Sequence, residues 1–158
     1  MSVKSDLLEK IKEVNKVKKI KSIVVASQGG KTAIKIAEEL GKEANVIAIS
    51  EFSYNESIKK EMKKLKITSI ENANLPIQDL REMRETLLMF NSGIKAAIEV
   101  AIIAANNKLV EEKFVAVSGS GNGLGTALII NTVHPEKEAI SEPLKQLSVE
   151  KILSSPLI

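Results

Sequence analysis

The chain has 158 residues with a formal net charge of +3, and 44% of them are hydrophobic and 27% charged. This balance predicts one globular domain over residues 1–158 and excludes the disordered and low-complexity classes. Because cysteine is absent and we find neither a secretory leader nor an uninterrupted apolar run of the roughly 20 residues that a membrane span needs, we expect a cytoplasmic protein without disulfides.

The predicted elements begin with an amphipathic helix over residues 5–19, which we expect as an appendage to the domain. Two short β-branched runs follow, Ser22–Ser27 and Asn45–Ser50, and such runs are typical of strands buried on both faces. The helical pattern between them, Lys31–Leu40, completes a βαβ unit.

The alternation of helices and strands continues along the chain. Helices are predicted over 55–65, 76–90 and 92–107, and strands over 66–71, 113–118 and 126–132. The pattern indicates an α/β fold with a three-layer open sheet, mostly parallel, of about five strands with helices on both faces. The helix over 92–107 is apolar around most of its circumference, which favours burial against the sheet or against a second copy, and we expect a homo-oligomer.

Two classes of partner are disfavoured by composition. Aromatic residues make up only 3% of the chain, and Arg81 and Arg84 are its only arginines. Nucleic-acid interfaces rely on arginine and stacking aromatics, so the lysine-rich helix faces are interpreted as solvated. The Lys- and Glu-rich, cysteine-free composition weakly favours a thermophilic source.

The first segment that could carry chemistry is the turn after the first strand, Ser27-Gln28-Gly29-Gly30-Lys31-Thr32. A helix begins here, and a helix N-terminus presents unpaired backbone N–H groups and partial positive charge to an anion. The glycines let the backbone approach a ligand, the Ser and Thr hydroxyls can donate, and the lysine adds charge. The turn predicts a phosphate site, and the alternative is an ordinary strand-to-helix turn with the lysine in solvent.

This turn is not a complete nucleotide-binding loop. Gly30-Lys31-Thr32 matches the end of G-x-x-x-x-G-K-[ST], but Val25 stands where the first glycine is required. Neither Ser50 nor Ser118, which end later strands, is the Asp that holds magnesium in such enzymes. We therefore do not expect an NTPase.

The second segment is the glycine-rich stretch 118–125, in which glycine occupies every second position from Gly119. Its spacing does not fit G-x-G-x-x-G and a strand follows it, so a Rossmann dinucleotide site is not expected. The loop amides could still wrap an anion, and the alternative is a surface loop. The candidate ligand contacts are Gly119, Ser120, Gly121 and Asn122.

Glu99 and His134 are the remaining residues of interest. Glu99 lies inside the apolar helix, and a buried carboxylate must be paired or protonated. Lys95, one turn earlier, is the expected partner, which favours a structural pair over an acid–base role. His134 is the only histidine and cysteine is absent, so neither a metal site nor a Ser-His-Asp triad is expected. No catalytic residue is assigned.

The order of elements and both loops together resemble the C-terminal domain of pyruvate kinase, and more closely the free-standing archaeal and bacterial proteins similar to it. The resemblance covers about residues 20–133. The stretch 23–33 is similar to the family's strand, loop and helix, whose loop receives a phosphate of the sugar-bisphosphate effector in pyruvate kinases. The stretch 117–126 is similar to the glycine-rich segment that closes over the same pocket. The resemblance implies that both candidate segments contact one ligand.

The resemblance also implies a binding function. The barrel that performs phosphoryl transfer takes about 250 residues and does not fit into this sequence, so pyruvate kinase activity is not expected. The pocket of the free-standing relatives resembles that of flavin mononucleotide (FMN) binders. The implied function is the binding of a phosphate ester, either FMN as a cofactor or a sugar phosphate. An FMN-dependent oxidoreductase and a structural protein without a small ligand are the alternatives.

Overall fold

The computed structural model describes residues 2–17, 20–119, 125–140 and 146–155. The α-helices of this part are α1 (Ser2–Val17), α2 (Lys31–Leu40), α3 (Glu56–Lys64), α4 (Arg81–Leu88) and α5 (Ser92–Asn106). Its strands are β1 (Ser22–Ala26), β2 (Asn45–Ile49), β3 (Thr68–Ile70), β4 (Lys113–Ser118), β5 (Thr126–Asn131) and β6 (Ser148–Ser154). Among these helices, none combines the length and apolar character needed to cross a membrane.

The strands form one mixed sheet in the order β3-β2-β1-β4-β5-β6. β1 is parallel to both β2 and β4, and β2 is parallel to β3, whereas β5 is antiparallel to β4 and β6. Only seven residues separate β4 from β5, and a parallel crossover needs a dozen or more. The α/β class is confirmed, and the sheet is mixed with six strands rather than about five.

Two apolar cores lie on opposite faces of the sheet. On one face, α1, α2 and α3 contribute residues such as Ile11, Ile36 and Met62 to a cluster with alternate residues of the strands. On the other face, α5 packs against a cluster that includes Val24 and Phe114. Helices therefore cover both faces, and α1, which we expected as an appendage, supplies part of the first core.

The helix predicted over residues 76–90 begins only at Arg81. The preceding residues form a turn, in which the backbone N–H of Ile77 donates to the Glu99 carboxylate at 3.1 Å. Lys95 also donates to the side chain of Gln78 at 2.8 Å. Contacts with α5, rather than helical propensity, fix this stretch.

The apolar surface of α5 is largely covered within the chain. Eight of the twelve residues between Gly93 and Ala104 are buried, and both the sheet and α4 contact this helix. Ile98, one of the apolar residues of α5, is half-buried beside α4. The homo-oligomer stays a prediction, but the apolar surface of α5 is no longer an argument for it.

Candidate functional site

A cleft of about 580 Å³ opens at the carboxyl ends of β1, β2 and β4. From β1 the chain moves outward to β2 and β3 on one side, and then returns to β4 on the other. Open α/β sheets bind ligands at such a switch point, and ligand pockets have volumes of about 300–1,000 Å³. Ligand sites of open α/β sheets typically have this position and size.

The cleft lining combines apolar and polar side chains. Its apolar part comes from strand ends and α5 and consists of Ala26, Ile49, Ala96, Val100 and the neighbouring Leu75. Its hydroxyl and charged side chains come from Ser27, Lys31, Thr32, Ser50, Glu51, Ser92, Glu99 and Ser118. Such a cleft can hold an apolar or neutral body while polar groups orient one end of the ligand.

The turn from β1 to α2 forms one side of the cleft. Five of its six predicted site residues line the cleft, namely Ser27, Gln28, Gly29, Lys31 and Thr32. No side chain caps α2. Within the described residues, the six consecutive backbone N–H groups from Gln28 to Ala33 donate no hydrogen bond. Unpaired donors at a helix N-terminus favour an anion.

The two glycines of this turn have different roles. Gly30 has φ +89°, and an added Cβ would lie 2.5 Å from Ile58 Cγ2 and 2.8 Å from Met62 Cε. Gly30 therefore faces α3 rather than the cleft. An added Cβ at Gly29 would find no atom within 4 Å. The expectation that both glycines open the backbone toward a ligand applies to Gly29 alone.

Ser27 supplies a hydroxyl that is available to a ligand. The residue is 4% exposed and lines the cleft. Its backbone N–H donates to the Ile49 carbonyl and its own carbonyl accepts from the Tyr54 hydroxyl. The Ser27 hydroxyl itself has no partner among the described residues. The Ser27 oxygen is not among the buried unpaired side-chain atoms of the described residues, so it reaches the open space of the cleft, where a ligand atom could form a hydrogen bond with it.

The start of the glycine-rich segment lines the cleft. Ser118 and Gly119 line the side formed by β4. The Ser118 hydroxyl donates to the Gly93 carbonyl at 2.6 Å, so it holds the start of α5. The other predicted contacts, Ser120, Gly121 and Asn122, lie outside the described residues.

Glu99 lies on the cleft wall and is 1% exposed. Lys95 Nζ is 2.8 Å from its Oε1, and the backbone N–H of Ile77 donates to its Oε2. The predicted pair with Lys95 is confirmed. The carboxylate joins α5 to the connection between β3 and α4, which carries Leu75 to the cleft.

His134 lies in a turn beyond β5. Its Nδ1 accepts a hydrogen bond from the backbone N–H of Glu136 at 2.9 Å, which fixes the ring locally. Nothing in the described ranges brings together three His, Cys, Asp or Glu side chains able to hold a metal ion.

Tyr54 contacts the turn from β1 to α2, and the sequence pattern did not associate it with the site. The Tyr54 hydroxyl donates to the Ser27 carbonyl at 2.8 Å, and the residue is 3% exposed. Burial raises the pKa of the Tyr54 phenol above its ordinary value of about 10, and the charge of Glu71 raises this pKa further. The phenol therefore stays a donor at neutral pH.

This raised pKa predicts a loss of stability in alkali. The folded state holds the phenol proton more tightly than the unfolded chain does. The resulting stabilisation is complete below about pH 10 and is lost as the pH rises through the higher folded pKa. Above pH 10, the free energy of unfolding measured by denaturation should fall more steeply with pH for the wild type than for Tyr54→Phe. Equal slopes for the two proteins, or normal titration of this single tyrosine in ultraviolet spectra, would contradict the expectation.

No family model matches the chain. The cleft and its donors therefore carry the functional argument, and the resemblance to the pyruvate kinase C-terminal domain stays a prediction.

Proposed function

We propose that this protein binds a phosphate ester, either FMN or a sugar phosphate, in the cleft and has no kinase activity. The observation that carries the proposal is the run of six unpaired backbone N–H groups from Gln28 to Ala33, four of which belong to residues that line the cleft at the switch point of the sheet, namely Gln28, Gly29, Lys31 and Thr32. The phosphate would lie on this run, and the remainder of the ligand would contact the apolar part of the cleft lining.

Hydrogen bonds supply most of the expected affinity for the phosphate. A hydrogen bond to a charged group contributes about 1.5–3 kcal/mol, whereas the dipole of an exposed helix contributes about 0.3–1 kcal/mol. Several N–H donors together with the Ser27 hydroxyl therefore outweigh the dipole. The charge of Lys31 adds a smaller term because this side chain is exposed.

The resemblance to the pyruvate kinase C-terminal domain supports the same ligand class. The turn that binds phosphate in that family corresponds to Ser27–Thr32. The aliphatic side chains of the cleft lining suit a flavin ring or the carbon skeleton of a sugar. FMN and sugar phosphates share the monoester group, so one comparison tests both.

The test compares each ester with its dephosphorylated counterpart by titration calorimetry. FMN is paired with riboflavin, and fructose 6-phosphate with fructose. In at least one pair we expect the ester to bind tenfold or more tightly, which corresponds to about 1.4 kcal/mol. Equal or absent binding in both pairs would overturn the proposal and favour a structural role. Turnover of a reductant by an FMN-loaded protein would favour the oxidoreductase alternative.

Replacement of Lys31 with methionine should weaken ester binding by a few fold and reduce its dependence on salt. Lys31 is exposed and lines the cleft, and exposed charges are screened over about 8–10 Å at physiological ionic strength. Lys35→Met is the matched control, because Lys35 is an exposed lysine of α2 outside the cleft lining. The affinity for the ester is measured by titration at several salt concentrations. If it depends on salt equally in Lys31→Met and in the wild type, Lys31 does not contact the phosphate.

A further inference from the structure

We propose that Tyr54 is a positioning residue for the phosphate-binding turn and that, together with Ser50, it aims the donors of this turn at the ligand. This inference rests on the proposed function. It assigns a binding role to side chains of the connection between β2 and α3, which the sequence does not associate with the site.

Two hydroxyl groups hold two successive carbonyls of the turn. The Tyr54 hydroxyl donates to the carbonyl of Ser27 at 2.8 Å, and the Ser50 hydroxyl donates to the carbonyl of Gln28 at 3.1 Å. Both donors come from the segment after β2. The Ser50 hydroxyl also accepts from the backbone N–H of Phe52 at 2.9 Å, which fixes its orientation.

The orientation of the carbonyls determines that of the neighbouring N–H groups. The described peptide bonds are trans, and in a planar trans peptide the C=O and N–H point in opposite directions. Because the carbonyls of Ser27 and Gln28 point at Tyr54 and Ser50, the N–H groups of Gln28 and Gly29 point away from these hydroxyls. These are the first two of the six unpaired donors.

Tyr54 is itself held firmly. Its backbone N–H donates to Glu71 Oε1 at 2.7 Å, and Lys59 Nζ lies 3.5 Å from the same carboxylate oxygen. The Tyr54 ring also lies beside Gly30, where a Cβ would be 3.4 Å from its Cδ1. The phenol is therefore a fixed donor, and the turn it holds is preorganised before a ligand binds. Preorganisation raises affinity because less freedom is lost on binding.

Tyr54→Phe removes the hydroxyl and keeps the ring. We expect this variant to bind inorganic phosphate and FMN about tenfold more weakly than the wild type, while the affinity for riboflavin is unchanged. Affinities are measured well below the melting temperature of each protein. Ser50→Ala should produce the same selective loss, and it serves as the test if Tyr54→Phe does not fold.

Ser22→Ala is the matched control. Ser22 lies at the opposite end of β1, where its hydroxyl donates to Glu111 Oε2 at 2.7 Å. This variant also loses a partly buried hydroxyl and is expected to lower the melting temperature without changing phosphate affinity. A merely structural Tyr54 would behave in the same way.

The outcomes separate the two proposals. If the wild type binds phosphate and prefers FMN to riboflavin or fructose 6-phosphate to fructose, and if Tyr54→Phe and Ser50→Ala retain wild-type affinities, the positioning role is wrong and the proposed function stands. If the wild type binds neither inorganic phosphate nor any of the tested esters, the proposed function fails and the positioning role fails with it.

Discussion

Gly30→Ala is expected to lower the free energy of unfolding by about 3 kcal/mol. A side chain at positive φ costs about 1–2 kcal/mol, and Gly30 has φ +89°. Overpacking adds about 1–3 kcal/mol, because the new Cβ would lie 2.5 Å from Ile58 Cγ2. The Met62 side chain can move aside, but the branched Ile58 has less freedom. Urea denaturation measures the change.

Gly29→Ala is the matched control for this prediction. The position is open, with no atom within 4 Å of an added Cβ, so its unfolding free energy should stay within about 0.5 kcal/mol of the wild type. Gly29, and not Gly30, is therefore the glycine at which a side chain probes ligand contact in a stable protein. Wild-type stability of Gly30→Ala would show that the packing between α2 and α3 is looser than described.

Glu99→Ala is expected to lower the free energy of unfolding by about 3 kcal/mol. Removal of one partner of a buried ion pair costs about 3–5 kcal/mol, and the lower end applies because the Lys95 side chain is 12% exposed. The change leaves the ammonium of Lys95 and the backbone N–H of Ile77 without their acceptor. Chemical denaturation at neutral pH measures the effect.

Two further variants test this explanation. Glu85→Ala removes an exposed i,i+4 partner of Arg81 at 3.6 Å, and such pairs contribute about 0.3–0.5 kcal/mol. The double variant Lys95→Met, Glu99→Leu should recover much of the loss, since apolar replacements of a buried pair are often neutral. A loss for Glu99→Ala no larger than that for Glu85→Ala would show that the buried pair contributes little.

The fold was predictable where local pattern decides it. Continuous β-branched runs identified β1 and β2, and the spacing of apolar residues predicted α2 within its observed bounds. The Lys95–Glu99 pair was predictable because both residues lie one turn apart on a single helix. The turn Ser27–Thr32 could be proposed as a phosphate site because its donors are adjacent in sequence.

Features that depend on distant contacts were missed. β6 is an edge strand in which most residues are exposed and only Leu153 and Ser154 are buried, so its sequence lacks the apolar run of a central strand. The cleft residues Ser50, Leu75 and Ser92 come together only through the order of strands in the sheet. The hydrogen bond between Tyr54 and Ser27 joins residues 27 apart in sequence, and no local pattern signals it.

Titration of ¹⁵N-labelled protein with inorganic phosphate, followed by amide chemical shifts, tests the central claim most directly. We predict saturable shifts concentrated on the backbone N–H groups of residues 28–33, with little change at the opposite end of the sheet around Ser22 and Asn45. Absence of saturable shifts in this run, or shifts confined to the lysine-rich surface of α3, would contradict a phosphate site at the start of α2.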